Sequence, residues 1–151
     1  MPTELEIAPV AAAEYEELLP LIAAYQRFYE VEDIDEDRNR AFFRRFLAPS
    51  DEGLLLGARA DGRLVGHACL YWHHNSLLAA ETVLLYDLFV VPEVRGKGVG
   101  RALIEAAAEV ARERGAVQLE WSTAPDNHTA QRLYDSLPTE RSEWLEYELE
   151  L

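Results

Sequence analysis

Residues 90–104, Val-Val-Pro-Glu-Val-Arg-Gly-Lys-Gly-Val-Gly-Arg-Ala-Leu-Ile, restrict the fold more than any other stretch of the chain. An apolar strand over 84–91 runs into a turn holding Gly96, Gly98 and Gly100, and a helix must start at once. Alternating glycines remove Cβ atoms from the turn and aim bare backbone N–H groups at one point, with the positive end of the helix dipole behind them. Arg95, Lys97 and Arg101 surround that point. The chain's net charge is −14, so three cations within seven residues are a local exception. The segment Arg95, Gly96, Lys97, Gly98, Val99, Gly100 and Arg101 is therefore expected to receive a phosphate group.

The spacing narrows the phosphate ligand. A mononucleotide loop needs Gly-x4-Gly-Lys-Ser/Thr, and Gly98 stands where the hydroxyl should be. A dinucleotide loop needs Gly-x-Gly-x-x-Gly, and the third position here is Leu103. The pattern present is Arg-x-x-Gly-x-Gly, read as Arg95, Gly98 and Gly100.

With 151 residues, 49% of them hydrophobic, the chain reads as one domain over 1–151 with a sizeable core. No apolar run approaches the roughly 20 residues that span a bilayer, and Met-Pro-Thr-Glu-Leu-Glu at the start does not read as a signal peptide. The single Cys69 excludes an internal disulfide and reads as a buried structural thiol. A cytoplasmic location and no membrane partner are expected. The 28 acids against 14 bases argue against nucleic acid, which needs a basic face.

Periodicity lays out the elements. A short strand at 5–7 precedes a helix over 12–29 and a second over 36–47. A loop at 49–53 leads into a hairpin, 54–60 and 64–72, joined by Asp61-Gly62. The strand 83–91, the glycine loop and a helix over 101–114, stopped by Gly115, come next. Residues 118–122 form another strand, Asp126 or Asn127 caps a helix to about Ser136, and 144–149 alternate as a last strand. The order predicts an α/β sandwich around a mixed sheet.

A second constellation is Asn127-x-x-Ala130-x-x-Leu133-Tyr134, after the strand Leu-Glu-Trp-Ser-Thr at 119–123. Steps of three keep Asn127, Ala130 and Leu133 near one helix face, with Tyr134 beside it. Together with Arg-x-x-Gly-x-Gly, this resembles the GNAT N-acetyltransferase superfamily, and the element order is similar over nearly the whole chain. The resemblance implies a mixed, mostly antiparallel sheet with helices on both faces. It implies acetyl-CoA as co-substrate, no metal, a pyrophosphate at 95–101, and pantetheine along the main chain of Leu88, Phe89 and Val90. It also implies that Asn127 orients the pantetheine and that Tyr134 protonates the departing thiolate. A phenol of pKa about 10 needs help from its surroundings to serve a thiolate of about 8.5.

The residues leave the general base open. Tyr86 stands where some relatives carry Glu, and Asp87 follows it. Strand alternation puts the two on opposite faces, so only one looks into the site. Glu120 and a water relay are the other candidates. The run Glu-Val-Glu-Asp-Ile-Asp-Glu-Asp at 30–37 reads either as an attractant for a cationic acceptor or as a solvated loop capping the second helix. His67, His73 and His74 lack a metal-binding spacing and read as edge-strand or acceptor-pocket residues. Trp144-x-x-Tyr147 and Tyr134-Asp135 resemble the small-amine and amino-acid branch (diamine, thialysine, D-amino acid). Transfer to a small primary amine is expected, with a non-catalytic acyl-CoA sensor or a protein N-terminal acetyltransferase as alternatives. Family habit allows a homodimer.

Overall fold

The computed structural model describes residues 4–151, so Met1 to Thr3 of the segment read as lacking a signal peptide lie outside it. Two compact units are formed, one up to Trp121 and the other Ser122–Leu151. In the first, five strands lie in sequence order: β1 (Leu5–Pro9), β2 (Gly53–Ala60), β3 (Arg63–Asn75), β4 (Ala80–Val90) and β5 (Leu119–Glu120). The first four are antiparallel neighbours and β5 is parallel to β4. The hairpin between β2 and β3 turns through Asp61 and Gly62, both at positive φ, as an Asp-Gly turn requires.

Helices α1 (Tyr15–Phe28) and α2 (Glu36–Phe43) cover one face, and α3 (Val99–Glu113) covers the other. Leu18, Leu19 and Ile22 of α1 bury against Leu55, Leu64 and Cys69 of the sheet and against Phe43 and Phe46. The two helices are joined by a buried amide pair, Gln26 and Asn39, and by the Tyr15 hydroxyl, which donates to the Arg40 carbonyl at 2.6 Å. Opposite, α3 comes close to β3 because Gly66 lacks a side chain. A Cβ there would lie 2.8 Å from the Phe89 carbonyl oxygen and 3.3 Å from a Leu103 methyl. Gly115, at φ 77, ends α3, and the Ala116 N–H closes the last turn on Ala111.

Both early helices are shorter than their periodicity suggests. A 3-10 turn, Ala12–Glu14, precedes α1, and another, Arg44–Phe46, completes α2. The second unit holds α4 (His128–Asp135), capped by Asn127. The strand expected at 144–149 is not formed. Trp144, Leu145, Tyr147 and Leu149 are exposed and outside any ladder. Alternation says which face a strand buries, but only a neighbour's hydrogen bonds make it one.

Candidate active site

β4 carries the chemistry of the first unit. Its register with β3 shifts between Cys69↔Asp87 and Leu70↔Leu85, which leaves Tyr86 as a surplus residue in a β-bulge. A bulge bends its strand. Pairing with β5 stops just before it, at Leu84↔Glu120, and residues 85–90 have no strand partner on that side within residues 4–121.

The bulge overturns the expectation from alternation, because Tyr86 and Asp87 share the face beneath α1. The Tyr86 ring lies 5.0 Å from that of Tyr71. The Asp87 carboxyl acts on Tyr25 of α1 and on Cys69 and Tyr71 of β3. Asp87 is 6% exposed. Burial pushes its carboxyl up to about 6, partly countered by a hydrogen bond from the Tyr25 hydroxyl. That hydroxyl also reaches the Tyr86 carbonyl at 3.4 Å. Burial, then the neighbouring Asp87, raises Tyr25 well above an ordinary phenol, so it stays a donor. The same two causes raise Cys69 and keep it a neutral thiol rather than a nucleophile.

Glu120 sits apart from this group, beside Leu84 rather than Asp87. Its carboxylate accepts from the Gln118 amide at 2.6 Å and lies 3.4 Å from His73 Nδ1, which is also 3.1 Å from Thr82 Oγ1. The histidines do not converge. His67 is wholly buried in a central strand, not at an edge or in an open pocket, between the rings of Tyr25 and Phe89 at 6.1 and 6.0 Å. Neither of its ring nitrogens has a hydrogen-bond partner among the described residues, and burial pushes it down to about 4.

The glycine loop follows β4 through the turn Pro92–Val94. Gly96 and Gly98 take φ of 78 and 86. A Cβ at Gly96 would meet nothing within 4 Å, so backbone conformation, not crowding, demands glycine there. Gly98 is the N-cap of α3 and offers no side chain, and the first helical bond runs from Ala102 N–H to the Gly98 carbonyl. The N–H groups that open a helix have no partner within it, and this open cradle fits a diphosphate. Val99, buried, anchors the turn, while Gly100 lies in the first turn of α3. Lys97 stands in solvent, and Arg101 lies 4.0 Å from Glu105.

Arg95 is tied to groups that its sequence neighbours do not reveal. Its Nε donates to the Val90 carbonyl at 2.7 Å, and its guanidinium lies over the rings of Phe28 and Phe89 at 5.7 and 5.5 Å. One of the main-chain groups expected to meet pantetheine, the Val90 carbonyl, thus already accepts one hydrogen bond. Phe89 is buried beneath α1, and Leu88 points to the α3 face. The acidic run is largely consumed as well. Asp35 caps α2 at the Arg38 N–H, Asp33 pairs with Arg38, and Glu36 and Asp37 pair with Arg40. The solvated, capping role accounts for most of it.

In the second unit, the Asn127 side-chain oxygen accepts from the Ala130 N–H at 3.2 Å. An added contact would use its amide NH2. Tyr134 is half-buried on α4, and its carbonyl accepts from the Thr139 hydroxyl at 2.8 Å. Sequence reasoning missed Tyr25 and Tyr71 as site residues. Each looks like an ordinary core aromatic until α1 and β3 are brought over β4.

Comparison with known proteins places this arrangement. Residues 18–137 match the Acetyltransferase (GNAT) family. An uncharacterized N-acetyltransferase of Bacillus subtilis is 34% identical over 118 residues, 78% of each chain. A thialysine N-epsilon-acetyltransferase of Bos taurus is 30% identical over 127 residues, covering 80% of this chain and 73% of the relative. A solved probable acetyltransferase superposes with a TM-score of 0.84 at 30% identity, over 97% of both chains. A sheet of this order, a bulged β4 and a glycine turn opening α3, joined to these matches, make the chain a member of the GNAT family and an N-acetyltransferase.

Proposed function

We propose that the protein moves the acetyl group of acetyl-CoA directly onto a primary amine of a small molecule (a diamine, polyamine or amino acid) in a ternary complex, with Asp87 as general base. The observation that carries this reading is a buried carboxyl of pKa about 6, on the bulged strand that leads into the glycine turn. An aliphatic ammonium must lose a proton before its nitrogen can attack, and a base with pKa near the working pH does this best. Asp87 takes that proton, and the Tyr25 hydroxyl holds its carboxylate in place. Acetyl-CoA supplies the thioester carbonyl. The loop 95–101 and the main chain of residues 88–90 are the expected hold on it, with Asn127 orienting pantetheine and Tyr134 returning a proton to the thiolate. Positioning the two reactants supplies much of the rate.

The bovine relative's name, a thialysine acetyltransferase, supports a small-amine acceptor. The test is a panel of diamines, polyamines and amino acids scored by acetyl-CoA-dependent thiol release. Turnover is expected for at least one, rising as the pH passes through about 6. Failure of acetyl-CoA to raise the melting temperature, or turnover only on peptide N-termini, overturns the proposal.

A further inference from the structure

Asp87 does not stand among neutral aliphatic groups. Of the seven tyrosines in the chain, Tyr25 and Tyr71 reach it, and each packs against a second, Tyr29 and Tyr86. Tyr25 donates to its carboxyl, and the Tyr29 ring packs 5.0 Å from Tyr25 with the two hydroxyls in contact. From the sheet, the Tyr71 hydroxyl feels the Asp87 charge, and the Tyr86 ring packs 5.0 Å from Tyr71. The group grades from solvent inward. Tyr86 and Tyr29 are 63% and 50% exposed, Tyr25 and Tyr71 are half-buried, and the carboxyl lies behind them.

We propose that Tyr25, Tyr29, Tyr71 and Tyr86 form an aromatic cage around Asp87 that recognises the acceptor as an alkylammonium on an unbranched methylene arm, and that the same cage binds quaternary ammonium ions, which cannot be acetylated. Aromatic faces attract a cation through their quadrupole, and do so best where water is excluded. Rings also let a cation leave water without a second carboxylate. Each ring also favours the charged amine and so raises its pKa, but by less than the full opposite charge of another carboxylate would. An α-amine carries a branch and often a carboxylate on the same carbon, which would sit against the π faces and Asp87. The cage therefore favours a terminal amine over an α-amine.

This inference rests on the acetyl-transfer reading for its kinetic arm only. The first measurement is binding of tetramethylammonium chloride to the full chain without acetyl-CoA, followed by the tyrosine ring resonances, with sodium chloride as control. Saturable shifts are expected. Exposed Tyr86 is the variant least able to disturb folding. Tyr86→Leu is expected to weaken tetramethylammonium, and to raise KM for a terminal amine, by about tenfold, as the loss of one well-placed ring predicts. Tyr86→Phe, which keeps the ring face, is expected to restore both, and KM for acetyl-CoA should move in neither. Absence of saturable binding in the wild type, or equal affinity in Tyr86→Leu, overturns the cage. Binding without acetylation of any amine leaves the cage standing and overturns the proposed reaction instead.

Discussion

The glycine loop and the floor beneath α1 handle charge in opposite ways. At the loop, Lys97 stands in water and the backbone provides the polarity, through two residues at positive φ and an uncapped helix start. Beneath α1, Asp87 and His67 are withdrawn from water, and burial sets their ionisation. On the function proposed above, the difference separates recruitment from reactivity. An exposed cation attracts a ligand over a distance that salt shortens, whereas a buried carboxyl gains a pKa suited to moving protons.

The largest effect that would sharpen this contrast is on turnover. Asp87→Asn keeps the shape and removes the proton acceptor, so kcat is expected to fall by about 10²–10⁴-fold in the thiol-release assay. The melting temperature at neutral pH should hold or rise, because a buried charge has been removed. Near-normal kcat in this variant would return the base to Glu120 or to water.

The second effect is on stability against pH, where the two buried groups act with opposite sign. His67 has a folded pKa of about 4 against 6.5, so the unfolded chain takes the proton first and stability is lost as pH falls from 6.5 towards 4. Asp87 has a folded pKa of about 6 against 3.8, so the folded chain takes the proton first and stability is gained as pH falls from 6 towards 4. Each span is worth on the order of 3 kcal/mol, and the wild type should therefore change little across it. Denaturant melts should show His67→Leu growing more stable than the wild type as the pH falls, and Asp87→Asn less. Parallel curves for all three proteins would refute the opposed pair.

Smaller effects belong to the loop. Gly98→Ala forces a Cβ into positive φ, a strain of roughly 1–2 kcal/mol, and should raise KM for acetyl-CoA about tenfold while sparing KM for the amine. Lys97→Ala should raise KM for acetyl-CoA by only about threefold, an effect that fades as salt is added. If these two variants moved the amine KM instead, the separation of recruitment from reactivity would fail.

The features legible in the sequence are those written in local chemistry. Gly96, Gly98 and the apolar run before them announced the loop, Asp61-Gly62 the hairpin, Gly115 the end of α3, and the pair Asp126 and Asn127 a cap for α4, which Asn127 provides. The bulge at Tyr86 was not legible, because no glycine or proline marks it and a two-residue period assigns Tyr86 and Asp87 to opposite faces. The partners of Arg95 were not legible for a related reason. Its sequence neighbours suggest an anion, while its actual partners, Val90 and the rings of Phe28 and Phe89, include a helix far away in the chain. The acidic run at 30–37 could not be weighed until Arg38 and Arg40 turned back onto it.

Tyr86 also carries a consequence for chain length. Leu85 faces α3 and Asp87 faces α1, as they would in an ordinary strand with no residue between them. A gene shortened by that one codon would keep every other side chain of β4 on its present face. It would also remove the bend that the bulge puts into β4 just beyond Leu84, the last residue paired with β5. Such a protein should fold with β3 and β4 paired without interruption. In this enzyme the bend of β4 is set by a count of residues, and almost any residue in that place could maintain it.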